Sequence, residues 1–270
     1  MIRPFVYIAS LRRTGSTVLA EALTALPHSY IFIEPQFGEN RWSIKPGDAE
    51  LLAPFGLDLE ARRERWLAGR RTPHAVEVLR DDVVTPLASR IGQLGVKEIR
   101  HEGWRAYQRA FPSMRIILTA RDPRDIYISL YHRQRQGLGT WKGEYTPQRV
   151  AADLNVQFAF QLDMHAAGPT LRVRYEDFTA DPGAIERVRR FIDSPIPVAA
   201  TGEIGGFLAR APGRSDEHAL HGGSITTRRA GRWRDEPDAA LRDQARMLFD
   251  LMPDYATFWN YGDEAGGGSR

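Results

Sequence analysis

Residues Phe5–Leu23 read FVYIASLRRTGSTVLAEAL: an apolar run, a basic loop and a second apolar run, with no linker between them. The first run is short and rich in β-branched and aromatic residues, which predicts a strand; the stretch from Ser16 to Ala25 has a helical pattern. A turn from strand to helix calls for a glycine, here Gly15, and Ser16 or Thr17 could serve only to cap the helix. The same residues also predict an anion site. Backbone N–H groups from Thr14 to Thr17 would converge at a helix N-terminus beside two hydroxyls and an arginine. The residue after Gly15 is Ser16 rather than lysine, and the positive charge stands two places before the glycine, at Arg13.

The pattern continues along the chain. FVYIAS, YIFIE, GVKEI, RIILTA and TLRVRY read as strands, and the segments Ser16–Ala25, Leu57–Ala68, Arg80–Ile91, Trp104–Phe111, Pro123–Gln136 and Thr146–Ala166 read as helices. Strands that alternate with helices imply right-handed crossovers. The expected fold is therefore α/β, a single domain with a central, mainly parallel sheet flanked by helices on both faces. Residues 1–262 form that domain, and residues 263–270, which end in GGGSR, read as a disordered tail. Beyond Tyr175 the chain turns helical, with a Gly-, Ser- and Arg-rich loop from Ala211 to Gly231.

Composition excludes several classes of function. The chain has 270 residues and no cysteine, so it has length for a real core but neither disulfides nor a thiolate metal site. The run Phe5–Ala9 is too short for a signal peptide and ends in arginines, and nothing later approaches a membrane span, which predicts a soluble, cytoplasmic protein. The net charge of +3 hides a bias: the only lysines are Lys45, Lys97 and Lys142. A lysine kept among so many arginines suits chemistry that arginine does badly, such as proton transfer.

Ligands of such a sheet bind beyond the carboxyl ends of its strands. There the sequence places RRTGST after the first strand, Glu34 after the second, Lys97 at the third and Arg121 after the fourth. Three cationic positions and one acid share a single edge.

At this point the sequence resembles the sulfotransferases that use 3'-phosphoadenosine 5'-phosphosulfate (PAPS). Their phosphosulfate loop, Pro-(Lys/Arg)-x-Gly-(Ser/Thr)-(Ser/Thr), is matched by RRTGST with Arg12 in place of proline. The family also has an arginine at a strand end, a DPRD-like turn and a serine eight residues after the arginine, as in TARDPRDIYISLYHR with Arg121 and Ser129. Helix capping by Asp122 and Asp125, with Pro123 at the first position, explains part of that stretch but neither Arg121 nor Ser129. The resemblance implies that Arg121, Ser129 and Arg133 bind the 3'-phosphate. In RVRYEDFTADP it sets Tyr175 beside the adenine. In RRAGRWRD it makes Arg232 a 3'-phosphate contact, with Arg228 and Arg229 as further candidates, and Ser215 in GRSDEH is another. Arg12, Arg13, Thr14, Gly15, Ser16 and Thr17 would hold the 5'-phosphosulfate. The likeness runs from about Phe5 to Trp233 and on through MPDYATFWNYG, loosely between Asn40 and Leu94.

The resemblance also implies roles in chemistry. A sulfuryl group carries less charge than a γ-phosphoryl, so donors at the bridging oxygen matter more than magnesium, and catalysis rests on positioning and electrostatics. Arg13 takes the place of the family's cation at that oxygen, and Lys97 that of a second family cation, which steadies the transition state. The family's base is either a histidine two places after the Lys97 position, here Ile99, or a glutamate ending the second strand, here Glu34. Against this, Glu34 could be an ordinary strand-end acid, and His101 is a shifted histidine candidate that reads more simply as an exposed loop residue. The expected cofactor is PAPS, with PAP as product and no metal. The expected acceptor is a small molecule, lipid or glycoside. Glu34 and the ending WNYG are similar to tyrosylprotein sulfotransferases, but the lack of cysteines and of an anchor argues against a protein substrate. A homodimer is compatible with this reading.

Two other classes fit less well. A kinase-like phosphotransferase would need a lysine after Gly15 and a magnesium carboxylate; turnover with ATP and magnesium, and none with PAPS, would mark it. An arginine-rich nucleic-acid binder would need basic residues that acids do not balance, and here acids are interspersed throughout; salt-dependent binding would reveal it.

Overall fold

The computed structural model describes residues 3–69, 75–138, 143–181, 183–196 and 227–262. Its centre is a five-stranded sheet built from β1 (Val6–Ser10), β2 (Ser29–Ile33), β3 (Gln93–Glu98), β4 (Arg115–Ala120) and β5 (Thr170–Arg174). The order is β2-β3-β1-β4-β5, and every pairing is parallel. The expected α/β architecture is what the structure shows.

Alternation along the strands divides the core into two layers, because successive side chains point to opposite faces. Val6 and Ile8 of β1, with Ile31, Ile33 and Ile117, pack against α1 (Ser16–Ala22), α9 (Tyr175–Ala180) and α10 (Ala184–Phe191). Tyr7, Phe32, Val96 and Leu118 face the larger layer. That layer includes α6 (Trp104–Ala110), α7 (Pro123–Arg135), α8 (Pro147–Ala167), α11 (Ala239–Asp250) and α12 (Pro253–Trp259). Both faces being covered, the inner strands are buried and mostly apolar, with polar residues such as Ser10, Lys97, Glu98 and Thr119 near their carboxyl ends.

Three further helices, α2 (Pro46–Leu52), α3 (Leu59–Gly69) and α4 (Ala75–Leu79), precede a π turn at Arg80–Val84 and α5 (Thr85–Ala88). The sequence pattern predicts one helix from Arg80 to Ile91. The observed helical segment starts earlier and carries the π turn just before Pro86, whose ring crowds the carbonyl four residues back and which has no N–H to donate. Helix α2 is not anticipated at all.

This topology locates the ligand crevice. The chain leaves β1 into α1 on one face of the sheet and leaves the adjacent β4 into α7 on the other. The two loops therefore part over the carboxyl edge between β1 and β4, where doubly wound sheets bind ligands.

Candidate active site

A cavity of about 360 Å³ opens above that edge. Its lining gathers Arg12, Arg13, Gly15, Ser16, Thr17, Glu34, Lys97, Arg121, Ser129, Arg133, Tyr175, Arg229 and Arg232, with Asp125 and Ile99 among their neighbours. Residues more than two hundred positions apart in sequence thus share one wall, and arginine and lysine greatly outnumber acids there. A concave surface with that balance attracts anions.

The loop after β1 has Gly15 as the N-cap of α1, with φ of 76° and no side-chain cap. Glycine is needed twice over: L-residues avoid that φ, and an added Cβ would lie 2.3 Å from Tyr175 Cδ2. Ser16 and Thr17 do not cap the helix; both line the cavity. Thr14 departs from the expectation. Its hydroxyl donates to Leu11 O at 2.9 Å and lies 2.9 Å from Thr119 Oγ1, so the side chain ties the loop to β4. Arg12 lines the cavity but also reaches α8, with Nε 3.4 Å from Asp153. Arg13, itself at φ of 66°, donates from Nε to Ser129 Oγ at 3.0 Å. Two residues assigned to opposite ends of a nucleotide are therefore in direct contact.

Arg121 follows β4 and is almost fully buried. The hydroxyl of Tyr255 fixes its backbone, accepting from Arg121 N and donating to Arg121 O, both at 3.1 Å. Its guanidinium donates to Arg13 O at 3.4 Å and to Arg229 O, and stands 4.7 Å above the Tyr175 ring. Arg121 Nε, buried, has no hydrogen-bond partner among the described residues. A cation held in this way with a donor to spare is suited to an anion.

Asp122 caps α7 through Arg124 N at 2.9 Å, as its sequence suggests. Asp125 does not complete a capping box. One of its oxygens accepts from Gly231 N at 2.7 Å and the other from Trp233 N at 2.9 Å, while Arg121 lies 3.5 Å away. The carboxylate therefore docks the late basic segment, the 3-10 turns Thr227–Arg229 and Arg232–Asp235, against α7. Burial nonetheless outweighs these partners and pushes the Asp125 carboxyl above its usual range. Arg229 and Arg232 reach the cavity; Arg228 is exposed and is not part of its lining. Ser215 lies outside the described residues.

Glu34 and Lys97 form an ion pair at the other end. The lysine side chain is 2 % exposed and that of the glutamate 29 %, so the ammonium is buried against a carboxylate that still meets the cavity. Burying an ammonium is costly unless it is paired, which makes Glu34 its natural partner. Ile99 lines the same wall.

His101 is a correction to the sequence reading. It is fully buried, not an exposed loop residue, and it does not line the cavity. One ring nitrogen is 3.2 Å from the Tyr7 hydroxyl and the other 3.0 Å from Ser10 O. Burial lowers its pKa to about 4, so it is neutral at physiological pH.

Among the described residues there is no cluster of His, Asp or Glu suited to holding a metal, and no helix is long and apolar enough to cross a membrane.

No curated protein matches this chain. Among solved structures, it is similar to the sulfotransferase domain of the olefin synthase of Synechococcus PCC 7002, with TM-score 0.64, 18% identity and 94% of each chain covered. It is also similar to the sulfotransferase domain from the curacin biosynthetic pathway, with TM-score 0.65, 16% identity, and 96% of this chain and 98% of that one covered. A sulfotransferase from Mycobacterium avium aligns at TM-score 0.55 and 16% identity, over 96% of this chain and 77% of the other. These likenesses concern the fold. Residues 4–197 match the model of the sulfotransferase family, and the chain belongs to that family.

Proposed function

We propose that the enzyme moves a sulfuryl group from PAPS to a hydroxyl or amine of a small molecule, lipid or glycoside, with Glu34 as the general base. One observation carries this reading: Arg13, Gly15, Ser16 and Thr17 of the loop, Arg121 and Ser129, and the Glu34–Lys97 ion pair line one cavity at the carboxyl edge of the sheet. The donor set suits PAPS. Backbone and hydroxyl donors of Gly15, Ser16 and Thr17 face the 5'-phosphosulfate. The spare donor of Arg121, with Ser129, Arg133, Arg229 and Arg232, takes the 3'-phosphate, and Tyr175 lies beside the adenine.

When bound, PAPS supplies an activated sulfuryl group whose bond to the 5'-phosphate oxygen breaks as a bond to the acceptor forms. Arg13 places positive charge where that oxygen gains electrons, and Lys97 steadies the transition state as a second cation. Glu34 takes the acceptor proton. Proton uptake by Glu34 also weakens its hold on Lys97, which leaves the ammonium to the sulfuryl oxygens as charge develops.

Incubation with labelled PAPS and a cell extract tests the reading and identifies the acceptor. Label should appear in an acceptor product with the wild type and be lost with Glu34→Gln. Transfer of phosphate from ATP with magnesium, with none from PAPS, would contradict it.

A further inference from the structure

Glu34 does not sit in ordinary backbone. It has φ of 50°, Gln36 has φ of 60°, and Pro35 lies between them. Two non-glycine residues in the left-handed region within one short turn are disfavoured, and such conformations persist only where the surroundings hold them. The surroundings here are two consecutive residues of β3. Lys97 accepts from Glu34 N through its carbonyl at 2.7 Å and meets the Glu34 carboxylate through its ammonium. Glu98, whose side chain points to the opposite face of the sheet, accepts from Gln36 N through Oε1 at 2.9 Å. Glu98 is 2 % exposed and does not line the cavity.

Glu98 is otherwise poorly accommodated. Its other oxygen has no hydrogen-bond partner among the described residues, and the Tyr107 hydroxyl approaches Oε1 only at 3.5 Å. A buried carboxyl with so few donors costs stability, so its presence calls for a reason beyond packing. The Gln36 amide is the backbone group it meets at short distance.

We infer that Glu98 is a positioning residue for the reaction: by holding Gln36 N–H it fixes the left-handed turn that aims the Glu34 carboxylate at Lys97 and the cavity. This rests on the reading of Glu34 as the base. Burial pushes the Glu98 carboxyl well above the usual carboxylate range, with Glu34 and Glu39 adding to the rise. A glutamine in its place keeps the shape of the side chain and an acceptor for Gln36 N.

The test compares the wild type with Glu98→Gln, which retains the acceptor, and Glu98→Met, which keeps the volume and removes it. Should the methionine variant not fold, Glu98→Ala takes its place. In Glu98→Met, exchange of the Gln36 amide with solvent should become about 10- to 100-fold faster while the amides of β1 keep their rates. Turnover with labelled PAPS and a cell extract should fall about 10- to 100-fold, the cost of a misplaced reacting group, with PAP affinity within about twofold of the wild type. Glu98→Gln should hold both exchange and turnover within about threefold. Normal turnover in the variants that lack the acceptor, a parallel loss of PAP affinity, or failure of Glu98→Gln to rescue would overturn the proposal. Glu34→Gln, run alongside, separates the two readings. Full turnover in that variant would discard Glu34 as the base, and the exchange rates would still decide whether Glu98 holds the turn.

Discussion

The two ends of the cavity are built on different principles. At the Arg121 end, a buried strand runs into a helix that Asp122 caps and Pro123 begins, so local chemistry aims the chain, and Tyr255 then pins the Arg121 backbone from afar. At the Glu34 end, the sheet-edge strand β2 runs into a turn with two left-handed non-glycine residues, held from β3 by Lys97 and Glu98. The first end is shaped for binding, with arginines around a spare donor. The second presents one carboxylate and one ammonium, a minimal set for moving a proton. The turn that presents Arg121 follows from local rules, whereas the turn that presents Glu34, the proposed base, depends on contacts from the neighbouring strand.

The largest effect should therefore come from the Glu34 end and leave binding alone. Glu34→Gln should lower turnover by about two to four orders of magnitude, the usual scale of general-base catalysis, while PAP affinity scarcely changes. Calorimetry of PAP beside the turnover assay checks the split; equal losses in both would break the comparison.

Stability in acid probes the buried groups under the loop after β3. His101 has a folded pKa of about 4 against 6.5 for the free side chain, so the unfolded chain binds its proton first. The stability this group contributes is fully present above pH 6.5 and is lost as pH falls toward 4, roughly 3 kcal/mol in all. Denaturant unfolding at pH 7 and at pH 4.5 should show a smaller acid loss in His101→Gln than in the wild type. An identical loss would mean that the histidine is not held neutral.

Arg121→Ala should weaken PAP by about 10- to 100-fold, the range for a hydrogen bond to a charged group. An analogue without the 3'-phosphate should lose much less. Equal weakening of both ligands would remove Arg121 from the 3'-phosphate. Asp125→Asn is the subtlest change. It turns one of two acceptors into a donor facing a backbone N–H, so the segment from Arg229 to Trp233 should loosen and PAP affinity fall by roughly 3- to 10-fold. Hydrogen exchange at Gly231 and Trp233 reports the cause.

This division also explains what could be read from the sequence. All five strands are visible as β-branched runs, and the spacing of Arg121 and Ser129 follows from a strand end and a helix, both local features. Gly15 is legible for the same reason. His101, flanked by Arg100 and Glu102, looks exposed in sequence; it is buried by Tyr7 of β1 and by Gln157 of α8, whose side chain takes the His101 N–H at 2.9 Å. Asp125 resembles half of a capping box, and its true partners lie more than a hundred residues away. Glu98 carries no motif. Only its distance from Gln36 in space reveals it. The helix Pro46–Leu52 did have a signal, since Pro46 stands at its start and Asp48 accepts from Lys45 N at 3.0 Å, but seven residues are too few for periodicity to stand out.

The central claim is that this edge of the sheet binds a nucleotide through its 3'-phosphate without help from a metal. Titration of the wild type with PAP and with adenosine 5'-monophosphate, each in the presence of EDTA, tests it most directly. PAP should bind, and the monophosphate, lacking the group assigned to Arg121 and Ser129, should bind at least about tenfold more weakly. Equal affinity for the two ligands, or PAP binding that appears only when magnesium is restored, would contradict the account.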